Sequence, residues 1–200
     1  MVHPQVEYTS ATANVIGSKD MSLGLQRGQV KLVPYNPEWA DLFELEKNAI
    51  KQAFREKILG IEHIGSTAIP GMIAKPILDF MIAVDSLDEY ELYTQELEKL
   101  GYQFRRDERS ELEHILYVKG PEEKRTHYLK LTTLDSGFWK DHILFRDYLI
   151  EHPERAKKYS DLKQKLLEKH GGERENYTKE KENYINETLE LALKGSQSLQ

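Results

Sequence analysis

The 200-residue chain contains no cysteine. That absence removes disulfide scaffolds, thiol nucleophiles, iron–sulfur clusters and cysteine-ligated zinc together. No window holds the ~18 consecutive apolar residues a membrane-spanning helix requires, and Met1–Asp20 lacks the apolar centre of a secretory signal. The expectation is a cytoplasmic protein with no membrane contact. Apolar side chains are also scarce. They make up 39% with Tyr counted, and exchanging the 11 Tyr for the 12 Gly leaves that share almost unchanged, below the ~45–50% of an ordinary globular domain. Charged residues reach 31%, with 34 acidic against 28 basic side chains and a net charge of −6. That balance argues against general nucleic-acid binding, though it leaves room for a local basic patch. A chain of this length still buries roughly 70% of its unfolded surface, so a modest core suffices for one domain.

Residues 1–20 show no sustained period and read as a mobile N-terminal extension whose removal leaves stability unchanged. The domain spans 21–194, with a helical C-terminal part over 136–194. A short strand is expected at Val30–Val33, followed by a helix with Asn36 as its cap and Pro37 as its first residue. Apolar residues at 39, 42, 43, 50, 53 and 54 give that helix one buried stripe. Ile61–Ile64 begins as a strand and stops at Gly65-Ser66. Ile77–Val84 is nearly continuous apolar sequence and reads as a central strand buried on both faces. Ser86 and Glu89 have capping-box spacing for a helix ending near Leu100. Strands follow at Tyr102–Arg106, His114–Lys119 and His127–Thr132, the last two forming a hairpin across Gly120-Pro121. Three helices close the chain, capped at Asp135 or Ser136, started by Pro153, and running from about Glu175 to Leu193, with a disordered tail at Gly195–Gln200. The fold class is α+β: a small mixed β-sheet flanked by helices.

The chemistry concentrates between His63 and Asp79. Gly65-Ser66 leaves a strand and enters a turn where glycine allows close approach, so backbone N–H groups and the Ser66 and Thr67 hydroxyls can receive phosphate oxygens. Lys75 can add a point charge for the same group. Gly-Ser is also an ordinary turn dipeptide. Asp79 is harder to set aside, because a carboxylate in a buried strand needs a metal, a cation or strong donors beside it. Lys75 or an arginine is a structural alternative to the metal. Asp79 is expected to be the most buried carboxylate near the sheet. Arg105, Arg106, Arg109, Lys124, Arg125 and Lys130 form either a basic rim or, more simply, a solvated loop face. Arg146-Asp147 reads as an ion pair docking the helical part on the sheet, and Trp39 and Trp139 read as core.

The segments KLVPYNPEW (Lys31–Trp39), HIGST (His63–Thr67), IPG (Ile69–Gly71), KPILD (Lys75–Asp79) and FRDYL (Phe145–Leu149) resemble the GrpB family. So do the spaced Tyr159, Lys163, Tyr177 and Lys181, and the resemblance extends over roughly 22–193. It implies a nucleotidyltransferase-like fold, in a family with some members fused to dephospho-CoA kinase. The signature of that superfamily is Gly-Ser, a spacer, a strand with Asp-x-Asp and a third carboxylate on a later strand. Strand residues i and i+2 share a face, so paired carboxylates can hold two metal ions. Gly65, Ser66 and Asp79 match; position 81 is Met81. Glu111, Glu113, His114 and His127 are the candidate replacements, and His127 as a second ligand would favour Mn²⁺ or Zn²⁺ over Mg²⁺. The bland reading of His127 is a half-buried ring bonded to backbone.

Two functions follow from these residues. In the first, Asp79 is catalytic and holds a divalent metal (Mg²⁺ or Mn²⁺), Gly65, Ser66, Thr67 and Lys75 bind the phosphates of a nucleoside triphosphate, and its nucleotidyl group passes to an unknown acceptor. In the alternative, Met81 marks a non-catalytic nucleotide- or phosphometabolite-binding module.

Overall fold

A computed structural model describes residues 23–105, 113–170 and 174–197. The extension at 1–20, together with Arg106, Arg109 and Glu111, lies outside the described residues. The elements run α1 (Glu38–Phe54), β1 (Gly60–Ile64), β2 (Leu78–Val84), α2 (Tyr90–Lys99), β3 (Tyr102–Phe104), β4 (His114–Lys119), β5 (His127–Thr133), α3 (Gly137–Glu151), α4 (Pro153–His170) and α5 (Arg174–Gln197). The architecture is α+β, as the sequence indicates.

The entry to α1 is built from two adjacent residues. The Asn36 side chain accepts from the Glu38 N–H at 3.0 Å, and Pro37 already has helical dihedrals (φ −56°, ψ −27°). The helix then buries Trp39, Phe43, Ile50 and Phe54 on one side. The sheet has the order β1-β2-β5-β4-β3, with β2 and β5 parallel and the other pairs antiparallel. β2 is therefore an interior strand. Its alternation sends Phe80, Ile82 and Val84 into a core with Phe43, Phe54 and Leu97, while Met81 and Ala83 pack with Ile64 and Trp139 beneath α3. Both tryptophans are core residues.

The helical part is fastened to the sheet by Arg146 on α3. Its guanidinium donates to Glu62 on β1 at 2.6 Å, to the His63 carbonyl at 2.8 Å and to Asp147 at 2.7 Å. A small core of Ile69, Met72, Leu149, Ala156 and Tyr159 fills the space between the turn after β1 and these helices. Among the described residues, no helix is long and apolar enough to cross a membrane.

Four expectations change. Val30–Val33 is no strand: a single antiparallel bridge joins Val33 to Ala74, because the next hydrogen-bonded pair would set Lys31 against Pro76, which has no N–H to donate. Ser86 does not cap α2. Its hydroxyl accepts from the Asp88 N–H at 3.1 Å, closing a local turn that competes with the cap, and the helix starts at Tyr90. α5 continues through Gly195 to Gln197, since a glycine near a helix end costs only ~1 kcal/mol. The arginines 105 and 125 form neither a rim nor a solvated face, because both are buried. Arg125 donates to the Gly120 carbonyl and, at 3.1 Å, to Gln103, locking the β4–β5 connection.

Candidate functional site

β1 ends at Ile64, and Gly65 follows with φ 68° and ψ −171°, a region essentially confined to glycine. A Cβ there would stand 3.2 Å from the Cβ of Asp79. The next residues, Ser66–Ala68, make one turn of 3₁₀ helix. Thr67 is buried, and its hydroxyl is shared with His63 Nε2 at 3.0 Å. His63 in turn stacks on Phe43 with ring centroids 4.7 Å apart. Thr67 thereby tightens the turn, and it also lines the cavity beside Gly65 and Ser66.

Asp79 sits opposite Ile64 across the β1–β2 pair, facing the Gly65-Ser66 turn as the sequence suggests. Its partner is Lys130 on β5, at 2.6 Å. The parallel register places Lys130 directly across from Met81. The face that would carry a second and a third carboxylate thus carries a thioether and an ammonium. Asp79 is also less buried than expected. Its side chain is 30% exposed, against 17% for Glu46, which is held by Lys119 and Tyr102.

His127 does not join the site. Strand alternation puts it on the opposite face with Leu129, near Phe80 and Tyr102, and its Nδ1 is 2.8 Å from the Thr126 hydroxyl. Glu113 and His114 are also committed elsewhere. Glu113 accepts from the Phe138 N–H at the start of α3, and His114 stacks on Phe138. No three carboxylates or histidines converge at metal distances among the described residues. The side chains around Asp79 do not fit a two-metal centre.

What does converge on Ser66 is cationic. Lys163 on α4 donates to the Ser66 hydroxyl at 2.9 Å and to the Ile73 carbonyl. Its Nζ stands 4.9 Å over the Tyr159 ring, and Lys75 and Lys181 stand 5.2 and 4.5 Å over Tyr177. Together with Gly65, Ser66 and Asp79 these side chains enclose a cavity of about 180 Å³. Lys75 is legible here from its own chemistry. Lys163 and Lys181 are reached only through the family resemblance, although Tyr159-x-x-x-Lys163 and Tyr177-x-x-x-Lys181 repeat one four-residue spacing that puts ring and ammonium on the same helical face.

The GrpB protein family model matches residues 29–191. The chain belongs to the GrpB family. It is 34% identical over 170 residues to the glutamate-rich protein GrpB of Alkalihalophilus pseudofirmus, covering 84% of this chain and 98% of that protein. The crystal structure of the conserved protein GrpB from Enterococcus faecalis superposes with a TM-score of 0.74 at 34% identity, covering 84% of this chain and 99% of that one. At 26% identity, 84% of this chain also matches 47% of a dephospho-CoA kinase from Mycolicibacterium paratuberculosis.

In this GrpB chain the electrostatics of the cavity are lopsided. Lys163 is only 2% exposed. Burial, with the Lys181 and Lys75 ammoniums nearby, pushes its pKa down to about 7. The carboxylate in the cavity, Asp79, is already neutralised by Lys130. Three amines gathered this closely repel one another in their charged forms, and a bound anion removes that repulsion.

Proposed function

We propose that the Gly65-Ser66 cavity binds a phosphate-bearing small molecule, a nucleotide or a phosphometabolite, and that no nucleotidyl transfer takes place there. The observation that carries this reading is the meeting of Lys75, Lys163 and Lys181 around Ser66 in one cavity. Lysines act as point charges for phosphate, Ser66 supplies a hydroxyl, and Gly65 keeps the backbone open to close approach. In place of the divalent metal, Lys130 neutralises Asp79. Such a ligand and a cytoplasmic location suit one another.

The runner-up reading has a nucleoside triphosphate giving up its nucleotidyl group to an acceptor. It is favoured by the Asp79 side chain facing the Gly65-Ser66 turn, and weakened by Met81 and Lys130. Calorimetric titration with inorganic triphosphate and with nucleoside triphosphates, each with and without Mn²⁺, separates the readings. We expect binding that needs no metal, weakens at least tenfold in Lys181→Ala, and releases no pyrophosphate. Metal-dependent pyrophosphate release would favour transfer, a wild-type protein that binds no triphosphate would sink transfer, and one that binds neither triphosphates nor phosphate monoesters would sink both.

A further inference from the structure

A second cavity also borders Ser66. It measures about 310 Å³ and shares Gly65, Ser66 and Tyr159 with the lysine cavity. Its remaining wall comes from α3 and α5, through Phe145, Ile185, Leu189, His142 and Asp141. Among the described residues no lysine or arginine lines it, and one carboxylate does. The two lobes therefore differ in kind. An anionic group is attracted to the lysine side and repelled from the side holding Asp141, while Phe145, Ile185 and Leu189 give a ring-sized apolar group complementary walls. Pockets of this size, mostly apolar with a few placed polar groups, are typical small-molecule sites.

The polar group is defined by its own bond. His142 Nδ1 lies 2.8 Å from the Phe138 carbonyl. A carbonyl only accepts, so Nδ1 carries the hydrogen and Nε2 of the neutral ring is an acceptor. Burial and the nearby Lys130 charge hold His142 down to about 4, so the ring is neutral at pH 7.

We propose that the second lobe receives the organic part of the same ligand: a ring-sized, largely apolar group with an N–H or O–H donor for His142, esterified to the phosphate held by the lysines. This rests on the phosphate reading above. It narrows the substrate class to phosphate monoesters of ring-bearing alcohols or phenols, and it fixes their orientation, phosphate toward Lys163 and ring toward Leu189.

Calorimetry with methyl phosphate, phenyl phosphate, 4-aminophenyl phosphate and adenosine monophosphate tests it. At least one ring ester, aryl or nucleoside, is expected to bind at least tenfold tighter than methyl phosphate, and the amino group to add a further few-fold over phenyl. Leu189→Asn, which adds polarity without charge, should abolish the ring advantage and leave methyl phosphate binding unchanged. His142→Phe, which preserves bulk, should abolish only the amino preference. Equal affinity for all four esters overturns the inference while the phosphate reading stands. Failure of every ester to bind overturns both. An amino preference that survives His142→Phe removes His142 from the proposal.

Discussion

The most direct test of how Asp79 is used is Asp79→Asn. The sequence allows a carboxylate waiting for a metal, in which case the amide would leave the metal-free protein as stable as before or more so. The structure gives Asp79 a fixed cation instead, with Lys130 Nζ at 2.6 Å and side-chain exposures of 17% for the lysine and 30% for the aspartate. Breaking a fully buried pair costs about 3–5 kcal/mol, because the survivor is left charged and desolvated. A pair in open solvent is worth only about 0.2–1 kcal/mol. The partial exposure here places the expected loss between those limits, at about 2 kcal/mol. For a chain of this size that lowers the melting temperature by about 4–8 °C. The assay is thermal melting of wild type, Asp79→Asn, Lys130→Met and the double variant, each with and without Mn²⁺. The double variant should recover part of the loss, since no unpaired charge remains. A single Asp79→Asn variant as stable as wild type, or a wild type stabilised by Mn²⁺ in a manner lost with Asp79, would refute the assignment of Lys130 as its partner.

Lys163 makes a second prediction, about alkaline pH. The unfolded lysine keeps its proton to about 10.5 and the folded one releases it near 7. Between those values the unfolded state binds more protons, so wild type should gain stability over Lys163→Met as pH rises, by at most about 1.4 kcal/mol per pH unit; a gap measured by urea unfolding that does not change with pH would mean the folded amine stays charged. On the acid side, burial chiefly holds His63 and His127 down to about 4 against a usual 6.5. The unfolded chain protonates first, so stability present above pH 6.5 should drain away toward pH 4, and His127→Gln should flatten part of that slope. Gly65→Ala places a Cβ 3.2 Å from Asp79 at φ 68°, and should cost about 1–3 kcal/mol in the same urea assay; a neutral substitution would contradict the close approach.

The parts of this fold that the sequence makes legible are those decided locally. β2 is visible because its seven residues hold six buried positions in a row broken only by Asp79, a run no exposed element tolerates. The β4–β5 hairpin is visible from Gly120-Pro121, and α1 from Asn36 and Pro37. Lys130 as the partner of Asp79 is not legible in this way. The two lie 51 residues apart, and their meeting depends on the parallel register of β2 against β5, which sets Met81 across from Lys130. Nothing in either segment alone fixes that register. His127 was misplaced for a related reason: alternation along β5 correctly grouped it with Leu129, but the face shared with Leu129 turns away from Asp79. The Val30–Val33 segment shows the converse error, since β-rich residues form no strand where the facing residue, Pro76, has no N–H to continue the ladder past the Val33–Ala74 bridge.

The bond from Lys163 to Ser66 spans 97 positions of sequence, and that separation has a temporal meaning. Every strand of the sheet, and the whole stretch from Gly65 to Asp79, precedes α3. A nascent chain that has emerged only as far as Thr133 holds every strand of the sheet, yet of the three pocket lysines it has Lys75 alone. Lys163 arrives with α4 and Lys181 only with the last helix. The cluster of lysines around Ser66 is therefore complete only once α4 and α5 have docked, and the phosphate reading proposed above implies that a ligand would ignore chains in which either helix is clipped or undocked.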